Sequence, residues 1–176
     1  MNRTIIGFLG ELIILVGLSM CVPLAMSIYD REHIQNIYLI AIAITLLCGS
    51  ICFFIGRSAR RFMRIRDGFI LVTLAWLSAT FFGTLPMIMS GYFPSCLDAF
   101  FETLSGFTAT GITVLADVES LPRSLLLWRS MTQWLGGMGI VVLFVAMLSG
   151  VSGSTQLLNA EVTGPVKEKL SPRSSD

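Results

Sequence analysis

Apolar residues fall in long blocks along this chain, separated by short polar clusters. The blocks run from Ile5 to about Ile28, from about Ile37 to Gly56, from about Gly68 to Met89, and from about Ser124 to Leu148. Each reaches the length of roughly 20 residues that carries a helix across a hydrocarbon core. The pattern therefore predicts four transmembrane helices. Pro23 is expected to kink the first near its exit. Glu11, about two turns into the same block, is expected to snorkel to the interface rather than serve as a buried functional carboxylate.

A fifth apolar stretch breaks the pattern. Phe100–Phe101–Glu102–Thr103–Leu104–Ser105–Gly106–Phe107 leads into Thr108–Ala109–Thr110–Gly111–Ile112–Thr113, too short and too polar at its end to span. Pro94, Ser95 and Asp98 precede it as at a helix start. A short helix that enters a bilayer and returns as extended chain is tolerated only where the backbone lines an aqueous path. Carbonyls there can replace the water shell of a monovalent cation. A glycine such as Gly111 is free to take positive φ and so aim carbonyls at an axis. The stretch reads as a cation-selective re-entrant pore loop.

The polar clusters set the topology. Arg57, Arg60, Arg61, Arg64 and Arg66 place five arginines in ten residues between the second and third blocks. In a short loop between two spans this is a cytoplasmic flank, not a nucleic-acid surface. The N-terminus and the tail are then cytoplasmic as well, and the pore loop enters from outside. The turn Asp30–Arg31–Glu32–His33 is external. So is the connection holding Asp117 and Glu119, which is either a cation-concentrating pore mouth or an ordinary solvated loop. Arg129, about one turn inside the last span, must snorkel or find an acid. Glu102 is the expected partner, bracing the pore helix against that span, and reversal of both charges is the corresponding test. Gly136–Gly137–Met138–Gly139 suits close helix packing.

Composition agrees with a membrane protein: 54% of the 176 residues are hydrophobic and 13% charged. Cys21, Cys48, Cys52 and Cys96 show no metal-ligand spacing, and Cys48 and Cys52 read as packing residues one turn apart. His33 is the single histidine. With no nucleophile–base set, histidine metal site or phosphate loop in the sequence, an enzyme is not expected. The first apolar run is too long for a cleavable signal peptide. The expected organisation is a helix pair over 1–56, an arginine-rich loop over 57–67, a pore unit over 68–149 and a tail over 150–176. The expected fold class is all-α integral membrane, two N-terminal transmembrane helices followed by one helix–re-entrant pore loop–helix unit, an arrangement that resembles the unit of potassium-channel type.

In wording, the chain resembles the Trk/Ktr/HKT superfamily of potassium transporters, and within it the bacterial TrkH/TrkG type of membrane subunit. The resemblance rests on Arg66–Asp67–Gly68–Phe69, Asp98–Ala99–Phe100–Phe101–Glu102, Ser105–Gly106–Phe107–Thr108–Ala109–Thr110–Gly111 and Leu121–Pro122–Arg123. It continues through Trp128–Arg129–Ser130, Gln133–Trp134–Leu135–Gly136–Gly137–Met138–Gly139, Gly164–Pro165–Val166–Lys167 and Lys169–Leu170–Ser171–Pro172–Arg173. It covers essentially the whole chain.

The resemblance implies potassium uptake across a bacterial inner membrane, with potassium as substrate, no covalent cofactor and a cytoplasmic nucleotide-binding subunit of TrkA type as partner. It implies that Gly111 is a filter glycine and that carbonyls around Thr108, Ala109, Thr110, Gly111, Ile112 and Thr113 face the ion. Ala109 and Ile112 depart from the family's commonest Thr and Ala. The family surrounds its pore with four such units, whereas this sequence holds one and shows no internal repeat. One loop cannot encircle an ion. The expectation is thus the N-terminal piece of a longer transporter; the alternatives are a homo-oligomeric short channel and a non-conducting membrane partner of a full-length transporter.

Overall fold

The computed structural model describes residues 3–57 and 65–139. Most of the arginine-rich loop, the end of the last expected span and the whole tail lie outside the described residues. The described residues belong to one compact unit, Met1–Gly139. They form helices joined by turns, without a strand among them.

The first apolar block folds as α1 (Arg3–Ser19) and α2 (Cys21–Tyr29), nearly one rod of 27 residues. The break falls at Met20, three residues before Pro23, because a proline ring displaces the carbonyl four positions back and cannot donate to it. Ser19 Oγ donates to the Val16 carbonyl at 2.7 Å beside that break. The second block is α3 (Gln35–Gly56), which starts two residues earlier than its apolar pattern suggests. α1 and α3 pack closely: a Cβ on Gly56 would lie 2.2 Å from the Gly7 Cα. Small residues replace side-chain interdigitation along this seam.

The third block repeats the device. α4 (Ile65–Gly83) and α5 (Leu85–Ser90) are separated at Thr84, just before Pro86. Thr84 Oγ1 donates to the Thr80 carbonyl at 2.6 Å, and Thr80 Oγ1 to Trp76 at 2.9 Å. These local bonds let threonine hydroxyls sit in an apolar interior. Gly91, at φ +72°, ends α5 in a left-handed cap. α6 (Cys96–Phe107) follows, and among the described residues a final helix, α7, covers residues 123–139.

Three of these rods, Arg3–Tyr29, Gln35–Gly56 and Arg66–Ser90, are long and apolar enough to cross a membrane. Their outward faces carry large apolar side chains, among them Leu47, Phe54 and Phe81, each more than 60% exposed. Apolar surface on that scale is tolerated against lipid and not against water. Glu11 also points outward, in a stripe with Phe8, Leu15 and Leu18, and not into the interior. Inside, Val16, Met20, Ala41, Met87, Ala99, Phe107 and Trp128 form one core that joins the N-terminal helices to the later ones. A second cluster joins Ile34 and Tyr38 at the start of α3 to Leu121 and Leu125 at the start of α7.

Candidate pore segment

α6 begins where its sequence says it should. Ser95 is extended, and its Oγ accepts the Asp98 N–H at 3.1 Å while donating to Asp98 Oδ2 at 2.8 Å. Ser95 thereby caps the helix at its third amide. The helix buries one face only, through Ala99, Glu102, Thr103, Ser105, Gly106 and Phe107, leaving Leu97 and Phe101 outside. Its C-terminal end is held by close backbone approach. A Cβ on Gly136 of α7 would lie 2.1 Å from the Phe107 carbonyl oxygen, so only glycine fits there. Trp128, fully buried, donates its indole N–H to the Gly83 carbonyl at 2.9 Å, beside the Pro86 break.

After Phe107 the chain reverses. Thr108 N–H still donates to the Leu104 carbonyl at 2.9 Å, and Thr108 Oγ1 donates to the same oxygen at 2.8 Å. Ala109 then takes φ +53° and Gly111 φ +74°. Thr110 and Gly111 still donate their N–H groups to the Ser105 carbonyl, at 3.0 and 3.5 Å, and residues 112–115 return along α6. Two side chains one turn apart on α6 hold them. Ser105 Oγ donates to the Ile112 carbonyl at 2.6 Å. Glu102 Oε2 accepts from Thr113 Oγ1 at 2.9 Å and from the Val114 N–H at 3.0 Å. The other carboxylate oxygen, Oε1, accepts from Arg129 Nε at 2.5 Å, with the Glu102 side chain 1% exposed and that of Arg129 18%. Glu102 therefore links three elements: the helix that bears it, the returning backbone and α7.

Each residue expected at the filter lies in this segment. Thr108, Ala109, Thr110, Gly111, Ile112 and Thr113 are all exposed on the surface of the unit. Thr108 and Thr110 are joined hydroxyl to hydroxyl at 2.8 Å. The Ile112 carbonyl is engaged by Ser105, so it faces the supporting helix. Among the described residues, the carbonyls of Thr108, Ala109, Thr110 and Gly111 accept no hydrogen bond. These four carbonyls, unengaged among the described residues, lie on an exposed backbone whose following residues are fastened to α6. Such carbonyls can offer oxygen ligands to a cation.

The sequence reading missed Ser105 and Glu32. Ser105 was legible as a residue three positions from Glu102, hence on the same helix face. Glu32, treated as part of a polar turn, receives both the N–H and the Oγ–H of Ser124, 92 residues away. Asp117 orders its own turn, accepting the Glu119 N–H at 3.0 Å.

Three membrane-length helices, followed by a capped half-length helix that reverses into an exposed, side-chain-stitched backbone, define an all-helical membrane protein. The family described as TrkH, cation transport protein, matches residues 33–175, and the chain belongs to that family. It is 39% identical to the Trk system potassium uptake protein TrkH of Halomonas elongata, over 97% of this chain and 36% of that protein. It is 35% identical to TrkG of Escherichia coli K12, over 99% of this chain and again 36% of the relative. The fold is similar to the crystal structure of the potassium transporter TrkH from Vibrio parahaemolyticus, with a TM-score of 0.76 and 36% identity, covering 83% of this chain and 31% of that one. The chain thus spans about a third of the length of the relatives it matches.

Proposed function

We propose that this chain contributes one filter strand to a Trk-type path for potassium uptake across a bacterial inner membrane. One observation carries the reading. Among the described residues, the carbonyls of 108–111 are unengaged on an exposed backbone, while Ser105 and Glu102 fasten the residues just beyond them to α6. Potassium is the substrate, and dehydration by carbonyls needs no bound cofactor. The relatives' names as potassium uptake proteins support the choice of ion. The arginines of 57–66 orient the chain with that loop, the N-terminus and the tail cytoplasmic. The helix pair of 1–56, the loop of 57–67, the pore unit of 68–149 and the tail of 150–176 follow from this topology. A TrkA-type nucleotide-binding subunit on the cytoplasmic side is the partner the family resemblance supports.

One strand leaves most of an ion's surface uncovered, so the remaining carbonyls come from further pore units, in the same polypeptide or in other copies. Expression of the chain alone in a host stripped of its potassium uptake systems, beside a Gly111→Asp version, tests this on limiting potassium. Growth that depends on Gly111 means that copies assemble into a pore, and crosslinking then shows a multimeric mass. Growth that the substitution leaves intact contradicts the filter reading. Absence of growth with the protein in the membrane places the other strands outside this chain.

A further inference from the structure

The start of α7 carries no side-chain cap of its own. Its first intrahelical bond runs from the Leu126 N–H to the Pro122 carbonyl at 3.0 Å, which makes Pro122 the capping position. Proline has no side-chain oxygen with which to accept the next free N–H groups. Glu32, from the turn between α2 and α3, supplies one. Its Oε1 accepts the Ser124 N–H at 3.3 Å, and its Oε2 accepts the Ser124 hydroxyl. A carboxylate at that end also meets the positive pole of the helix dipole. The contact is sealed on its inner side by Ile34 and Tyr38 packed on Leu121 and Leu125, with Tyr38 and Ser124 fully buried. Arg123 lies 3.9 Å from Asp30 on the outer side.

Ser124 is five residues before Arg129, and Arg129 holds the Glu102 that fastens the returning backbone. From this chain of contacts we infer that Glu32 is a positioning residue: the N-terminal helix pair caps α7 from outside, fixing the level at which Arg129 meets Glu102 and hence the seat of residues 112–114. That gives the helix pair a role in filter geometry. The inference rests on the proposed filter reading only for its functional consequence, since the contacts stand without it.

Hydrogen–deuterium exchange of the full chain in lipid nanodiscs tests it. Glu32→Gln keeps size but cannot accept two donors with a charged group. Loss of the cap is expected to speed exchange of amides 124–126 about fivefold or more. Amides 113–115 should also exchange faster, while those in the middle of α3 stay unchanged. The double variant Glu32→Gln/Ser124→Ala should add nothing beyond Glu32→Gln. Unmoved amides at 113–115, or two effects that add in full, overturn the proposal. If Glu32→Gln does not fold, Ser124→Ala alone decides, because it removes one of the two bonds and should raise exchange at both places by a smaller factor; no rise overturns it. The readout requires no transport. Failure of the potassium reading appears as uptake indifferent to Gly111, and failure of this one as unmoved amides.

Discussion

Ala109 and Gly111 both lie in the left-handed region, but their surroundings differ in what they ask of a side chain. At Gly111 a Cβ would meet nothing within 4 Å. A substitution there bears only the conformational cost of φ +74°, about 1–2 kcal/mol. The unit should therefore fold with an aspartate at 111, and what changes is the space in front of the carbonyls. Glu102 is the opposite case. It is almost wholly buried and satisfies three donors, from Thr113, Val114 and Arg129. Removing either member of the buried ion pair leaves a charge uncompensated, at a cost of about 3–5 kcal/mol. Glu102→Gln and Arg129→Gln should each lower the thermal unfolding midpoint in detergent markedly. The double reversal Glu102→Arg/Arg129→Glu should fail to restore it, because an arginine at 102 cannot accept from the Val114 N–H. Full recovery would mean that the ion pair alone matters. The pairing of these two residues was legible from topology, since an arginine one turn inside a span needs an acid. The carboxylate's second task was not, because the backbone donor that it receives carries no signal in the sequence.

Among the elements, prolines and glycines decide most of the geometry. Pro23 and Pro86 each break a span a few residues upstream, at Met20 and Thr84. A kink is readable from the sequence, but which carbonyl it leaves for another helix is not. Trp128 takes the Gly83 carbonyl at the second break, and that match depends on how α7 lies. The first three spans were legible to within a few residues, as α3 shows, because roughly 20 apolar residues in a row have few other uses. α6 was also legible, from Pro94, the Ser95–Asp98 cap and the abrupt run of Thr and Gly. Gly136 was read as a packing residue, and its partner is the backbone of Phe107. Gly136→Ala should push α7 from the end of α6 and cost about 1–3 kcal/mol. The same change at Gly137, where a Cβ meets nothing within 4 Å, should leave the unfolding midpoint nearly unchanged. Equal effects at the two positions would contradict the packing described.

Across the described residues, the N-terminal helices and the later ones share one core through Val16, Ala41, Ala79, Phe107 and Trp128. Nothing local in the sequence announces that union, and the 92-residue reach from Glu32 to Ser124 is its clearest instance. The family membership was legible because many motifs occur in order along the chain. On the proposed filter reading, the exposed segment 108–114 would reach an ion from one side only. The central claim is that this strand forms part of a potassium filter. It is tested most directly by placing residues 1–139 of this chain in exchange for the matching residues of the Vibrio parahaemolyticus TrkH and measuring rubidium uptake in a host without other potassium transport. The account predicts uptake by the chimera and its loss with Gly111→Asp, at undiminished amounts of folded protein in the membrane. Uptake that survives Gly111→Asp undiminished would contradict it.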